Sequence, residues 1–285
     1  MRGGYVRVGG LQVHHVFGGS GDPPVLFVHG LGSAGYLEWR FTLPELARSR
    51  EVFALDLPGF GRSEQPAGGY GIPLFADVVQ AYVRELGRRP VLVGTSLGGR
   101  VALEVALRDP GSVERLVLVD SLGVVRPNVQ LFYPLVLVPG LGETVLGLMR
   151  EALHRLPPAV IRRSARRFVH DAGGLDRVVD EAFLTGMREM HATAGYARAY
   201  ASTVRALADI RAHRPAELLE GLAATRLPVL LIWGEKDRLL PVDRARAAVR
   251  RLPGARLEVI EGAGHTPQAE RPDRFNRALE DFLAS

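Results

Sequence analysis

Ser96 stands in the run "VLVGTSLGGRVALEVAL", residues 91–107, with a glycine two places before it and another two places after it. A serine hydroxyl is a weak nucleophile until a neighbouring base takes its proton and a third group holds that base in place. Both occur further along the chain. His265 lies in "GAGHTPQAERP" (262–272), a glycine-loosened loop that follows an apolar run. Asp237 lies in "WGEKDRLLP" (233–241), again directly after an apolar run, and gives the chain order serine, aspartate, histidine. Asp120 in "LVDS" (118–121) is a rival acid at another strand end. Together these residues could run nucleophilic acyl transfer.

That chemistry makes an oxyanion, which needs preorganised donors. The Leu97 N–H, at the start of a helix-like pattern, is the first candidate. The Leu31 N–H is the second: "HGLGSAG" (29–35) follows an apolar run, and Gly30 and Gly32 let the backbone turn inward. A phosphate-cradling loop is the competing reading of these glycines, but neither G-x-x-x-x-G-K-S/T nor G-x-G-x-x-G is present. The other histidines fit a base less well. His14 and His15 fall within a strand, so at least one should face solvent. His154, His170, His191 and His213 fall in a region without strand signals. His29 is expected to orient its own turn, and Asp56 in "DLPGFGRS" to pin the loop after it.

The elements around these residues follow from periodicity. "YVRV" and "LQVHHVF" read as a strand pair turning at Gly9-Gly10. Unbroken apolar runs at 24–30, 51–59, 90–94, 113–120, 227–234 and 255–262 read as strands buried on both faces. Helical patterns alternate with them, such as Phe75, Val78, Val79, Tyr82, Val83 and Leu86 ahead of Gly87. The fold class is therefore α/β, a mostly parallel sheet covered by helices on both faces. From Ser121 to about Thr225 the alternation stops and proline-punctuated helical runs take over. The expected organisation is a core of residues 1–120 and 226–285 with a helical cap, 121–225, inserted over the sheet. Ligands bind such sheets outside the carboxyl ends of their strands, where Ser96 sits on a turn tight enough to force strained backbone.

Composition excludes other classes. The 285 residues are 47% apolar and 24% charged, with no cysteine, so disulfide and thiolate chemistry are ruled out. The net charge of +5 is carried almost wholly by arginine, and no stretch interleaves basic with aromatic residues as a nucleic-acid groove would. The opening residues show no signal-peptide pattern and the longest greasy run is broken by Pro134, Pro139, Gly140 and Glu143, so a cytoplasmic protein without an integral membrane segment is expected. The arginines at 162, 163, 166 and 167 read as a solvated helix face.

"HGLG", "DLPGFGRSEQP", "GTSLGG", "WGEKDRLLP" and "GAGHTPQAERP" stand in the order of the α/β-hydrolase superfamily, and the chain resembles that family over nearly its whole core. The resemblance implies eight strands, no metal or cofactor, catalysis by Ser96, Asp237 and His265, and oxyanion donors at Leu31 and Leu97. A serine at this position argues against the dehalogenase and epoxide-hydrolase branches, which use aspartate, and against dienelactone hydrolases, which use cysteine. The meta-cleavage-product C–C hydrolases use serine and carry a similar cap. They usually have tryptophan after the histidine, where this chain has Thr266, and often asparagine near the serine, where it has Thr95. They also grip a substrate carboxylate with a cap arginine, for which Arg188 is the candidate here. The expected activity is thus a carboxylesterase-like serine hydrolase for small-molecule esters with apolar acyl or alcohol parts. A C–C hydrolase of 2-hydroxy-6-oxo-dienoates and a non-turnover binding protein on the same fold are the alternatives.

Overall fold

The computed structural model describes residues 1–125, 134–153, 157–209 and 214–285. His154, His213 and residues 129–133 of the greasy run at 129–149 lie outside the described residues. Eight strands form one sheet: β1 (Arg2–Val8), β2 (Leu11–Gly18), β3 (Val25–Val28), β4 (Val52–Leu55), β5 (Val91–Thr95), β6 (Arg115–Val119), β7 (Val229–Gly234) and β8 (Arg256–Ile260). Their order is β1-β2-β4-β3-β5-β6-β7-β8. β1 and β2 form a hairpin, β2 runs antiparallel to β4, and every other pairing is parallel. The hairpin turns through Gly9 and Gly10 at φ 56° and 79°, the left-handed pair that a two-residue turn between twisted strands requires.

The inner parallel strands are almost wholly apolar because successive side chains enter two different cores, whereas β8, at the sheet edge, exposes Arg256 and Glu258, so the expectation that 255–262 is buried on both faces does not hold there. Leu26, Val28, Leu92, Leu116 and Leu118 face one layer, with Phe75, Val79 and Tyr82 of the helix Ile72–Leu86 and Val101 and Val105 of the helix Leu97–Arg108. Val25, Phe27, Val91, Val93, Val117 and Val119 face the other, with Trp39, Leu43 and Leu46 and with Phe275, Leu279 and Phe282 of the helix Pro272–Ala284. Gly87, at φ 63°, closes the helix Ile72–Leu86 as its position after the last apolar residue foretold.

Between β6 and β7 the described chain is helical, with no strand: Leu141–Leu153, Pro158–Ala165, Ala172–Val178, Glu181–Ala192, Tyr196–Ala208 and Pro215–Thr225. Asp171 and Asp180 cap two of these helices by accepting N–H bonds from Gly174 and Phe183 at 2.6 and 2.8 Å. Glu181–Ala192 reaches the sheet side of the molecule, where Gly186 lies against Leu37. Pro215–Thr225 packs on the helix Leu97–Arg108, burying Leu219 and Leu222 in the main core. Among the described residues no helix is long and apolar enough to cross a membrane.

Neither strand histidine is left to solvent. His14 is buried, its Nδ1 2.9 Å from Asp56 Oδ2, while His15 points to the other face and packs against Tyr82, Phe17 and Phe53. Alternation along β2 does separate the two rings, but both faces of the strand are covered.

Candidate active site

β5 ends at Thr95 and the helix behind it begins at Leu97, so the whole reversal falls on Ser96. Its backbone is held at φ 52° and ψ −114°, a conformation that costs an L-residue energy and persists only when the surroundings enforce it. Those surroundings are close. A Cβ on Gly94 would lie 2.3 Å from the Gly98 carbonyl oxygen, and one on Gly98 would lie 2.3 Å from that of Val28. The Ser96 N–H donates to Val119 O at 2.9 Å, tying the turn to the neighbouring strand. Its hydroxyl makes no capping bond to the helix, so the serine is not there to cap.

The "HGLG" turn lies directly beside it. A Cβ on Gly30 would stand 3.5 Å from Ser96 Cβ. His29 is fully buried and makes this turn rigid: Nε2 accepts the Leu57 N–H at 2.9 Å, which leaves the proton on Nδ1 to donate to Gly30 O at 2.7 Å. Burial pushes its pKa down, against the pull of Asp56. Asp56 does what its position suggested. It accepts the Arg62 N–H at 2.9 Å and the Gly35 N–H at 2.7 Å, binding the following loop to the start of the earlier helix Gly35–Glu38. Leu31 is half-buried against Val136, Ala201, Val204 and Tyr200, an apolar cluster supplied by the segment between β6 and β7.

Asp237 and His265 come from the ends of β7 and β8 and meet: His265 Nδ1 lies 2.7 Å from Asp237 Oδ2. Asp237 Oδ1 accepts the Leu239 and Leu240 N–H groups at 2.7 and 2.9 Å, so its carboxylate is aimed before the histidine arrives. Burial would strip the proton from His265, but the Asp237 carboxylate outweighs burial, with Glu38 and Glu270 behind it, and the pKa is raised. For Asp237 the signs are reversed. Burial favours the neutral acid, but the His265 charge and hydrogen bond overcome it and hold the carboxyl below its usual value.

Asp120, the rival acid, is fully buried at the end of β6 and has φ 38°. It accepts the Gly234 N–H at 3.0 Å through Oδ1 and does not bond His265. Burial first and the Asp237 charge second push it well above the ordinary carboxylate range. Asp120, Asp237 and His265 are close enough to crowd around an ion, yet the His265 nitrogen and the Asp237 oxygen that face each other are already hydrogen-bonded.

Three supporting residues escaped the sequence reading. Glu270 is fully buried and its carboxylate accepts N–H bonds from Gly264 at 2.9 Å, His170 at 2.7 Å and Thr266 at 3.3 Å, clamping the loop that carries His265. Glu38 accepts from Gln268 Nε2 at 2.6 Å and lies beside Gly30, linking the histidine loop to the glycine turn. A Glu five residues past a candidate histidine is a weak signal on its own, since helix-entry acids look the same. Phe168 also reaches the site: its carbonyl accepts the His265 N–H at 2.7 Å and its half-exposed ring lies 6.4 Å from the imidazole. Arg188 is on the helix Glu181–Ala192, half-buried, with Nε buried and unpartnered. Among the described residues no hydrogen bond or ion pair joins it to Ser96, Asp237 or His265.

The profile of the alpha/beta hydrolase family matches residues 25–278. The chain belongs to that family. An uncharacterised protein of Mycobacterium tuberculosis is 34% identical over 276 residues, 93% of this chain and 76% of that protein. The 2-hydroxy-6-oxo-2,4-heptadienoate hydrolase of Pseudomonas putida is 30% identical over 288 residues, 99% of this chain and 96% of that enzyme. A crystal structure described as a membrane phospholipase A, a bacterial virulence factor, is 28% identical with a TM-score of 0.76, covering 99% of this chain and 86% of that one.

Proposed function

We propose that this hydrolase is a serine enzyme that cleaves carboxylic esters with apolar parts through an acyl-enzyme on Ser96. The observation that carries this reading is the strained, non-capping Ser96 at the end of β5, together with a buried His265–Asp237 pair at the ends of β7 and β8. His265 Nε2 takes the hydroxyl proton as Oγ attacks the ester carbonyl. The Leu31 and Leu97 N–H groups hold the oxyanion, and the helix N-terminus behind Leu97 adds a favourable field. The imidazolium then gives its proton to the departing alkoxide. Water, deprotonated by the same histidine, releases the acid and restores Ser96. No cofactor enters these steps. In this reading residues 121–225 act as the cap, and their cluster around Val136, Tyr200 and Val204 offers an apolar wall beside Leu31.

A fluorophosphonate probe is expected to label the parent at Ser96, and p-nitrophenyl esters of rising chain length to be turned over. Ser96→Ala should lose labelling and at least ~10³-fold of kcat with its fold intact. Labelling that survives in Ser96→Ala overturns the assignment.

Carbon–carbon hydrolysis of a 2-hydroxy-6-oxo-dienoate is the second reading. It is favoured by the Pseudomonas putida relative and by the buried, unpartnered Nε of Arg188, which a substrate carboxylate could satisfy. Thr266 speaks against it, since a hydroxyl bonded to Glu270 occupies the place of the usual tryptophan. Under the ester reading, Arg188→Gln changes kcat/KM for neutral esters by less than ~10-fold. A dienoate cleaved faster than p-nitrophenyl butyrate, with that activity destroyed selectively in Arg188→Gln, would establish the second reading instead.

A further inference from the structure

The end of β6 holds a group that the acyl-transfer scheme leaves idle. Asp120 is fully buried, and its Oδ2 has no hydrogen-bond partner as an acceptor. A carboxyl oxygen of Asp120, one of Asp237 and a ring nitrogen of His265 lie within 4.8 Å of one another. Two ionised carboxylates so close in a dry site repel strongly, and one of them must hold a proton. The donors decide which. Asp237 has two backbone N–H groups on Oδ1 and the His265 ring on Oδ2, whereas Asp120 has a single backbone N–H, from Gly234. The charged and titratable groups around Asp120 are Asp237, Glu270 and His265, the Asp237 carboxyl within hydrogen-bonding reach. The two carboxylates make the proton more welcome on Asp120. A proton on Oδ2 also turns the orphan acceptor into a donor with an acceptor in reach.

Resting on the serine-hydrolase reading, we propose that Asp120 is a positioning residue that carries a proton at neutral pH and donates it through Oδ2 to the Asp237 carboxylate. Asp237 is then held from two sides: by the loop after β7 at Oδ1, and by β6 through Asp120. The backbone of Asp120 is itself held at φ 38°, a left-handed conformation that a non-glycine residue keeps only where its surroundings enforce it. Asp120 touches no substrate in this scheme and acts only through the acid. It settles the choice between the two acids in a way that residue type alone could not: one is ionised and the other is its neutral hydrogen-bond donor.

Two measurements test this. In the infrared difference spectrum of the parent against Asp120→Asn at neutral pH, the parent is expected to show the carbonyl band of a protonated carboxyl. The band should persist when both proteins carry Ser96→Ala, since it does not depend on turnover. In kinetics, Asp120→Asn should keep kcat within about threefold, because the amide still accepts from Gly234 and donates to Asp237. Asp120→Ala should lose roughly 10- to 100-fold in kcat with KM little changed, the scale of one hydrogen bond to a charged group. The absence of the band overturns the proposal. So does Asp120→Asn falling as far as Asp120→Ala, or a folded Asp120→Ala with full kcat. Should Asp120→Ala not fold, the band and the Asp120→Asn kinetics still decide. If the parent neither labels at Ser96 nor turns over esters, the functional reading fails while the band reports on Asp120 regardless.

Discussion

In the proposed mechanism the chemistry turns on His265, and its environment works both for and against the role of base proposed for it. Burial favours the neutral ring that can accept a proton, while Asp237 2.7 Å away favours the imidazolium and prevails. A base is useful only when neutral. A raised pKa keeps the ring protonated to higher pH, so the acid limb of kcat/KM is expected on the alkaline side of the ordinary imidazole value of about 6.5. Asp237→Asn removes the carboxylate that raises it. In that variant the limb should move down, and kcat should fall by about 10³-fold or more because the amide favours the wrong arrangement of the ring. A parent limb at or below the ordinary value, or an Asp237→Asn variant with near-parental kcat, contradicts this account.

The elements position these residues through loops at one edge of the sheet, and each loop is held by a buried polar group rather than by packing alone. Glu270 is the clearest case. Its carboxylate satisfies N–H groups from Gly264, Thr266 and His170, so one side chain fixes the histidine loop to the segment between β6 and β7. Glu270→Ala would orphan all three donors in a fully buried site. The expected cost is about 3 kcal/mol of stability, read from the urea midpoint, with a fall in kcat as His265 loses its register. A midpoint unchanged from the parent would show that water replaces the carboxylate at no cost. The glycine turn makes the same point by close approach: at Gly32, φ 73°, a Cβ would stand 2.9 Å from the Tyr200 ring. There the helix Tyr196–Ala208 and the turn bearing Leu31 touch without room for a side chain.

Across the whole molecule, the His265–Asp237 pair links the ends of two strands and should register in global stability. His265, raised in the folded state, contributes stability that is full below about pH 6.5 and is lost as pH rises through its folded value. Asp237, lowered, contributes stability present above about pH 3.9 and lost as pH falls through its folded value. The two statements describe one ion pair seen from either partner. The parent's advantage in melting temperature over His265→Gln should therefore peak between those limits and shrink at both extremes. A difference that does not vary with pH would mean that the pair does not titrate with folding.

Residue type and local spacing were enough for the sheet and for the positions proposed to carry its chemistry. An unbroken apolar run between turn residues can only be a strand buried on both faces, and Gly94, Ser96 and Gly98 announce a reversal because the turn leaves no space for side chains at 94 and 98. Ser96, His265 and Asp237 could be proposed on those grounds alone, as could the supporting parts of His29 and Asp56. What the chain does not encode locally is which of two strand-end carboxyls meets the histidine. Asp120 and Asp237 look alike as a carboxyl after an apolar run. Only the side-by-side pairing of β6, β7 and β8 gives one of them the imidazole and two N–H donors and leaves the other a single N–H. The same holds for Glu38 and both strand histidines, and for the Glu270 bond to His170, whose partners lie tens to hundreds of residues away. Periodicity reports which face of an element is buried, but a polar group's partner depends on which other segment the fold brings against it.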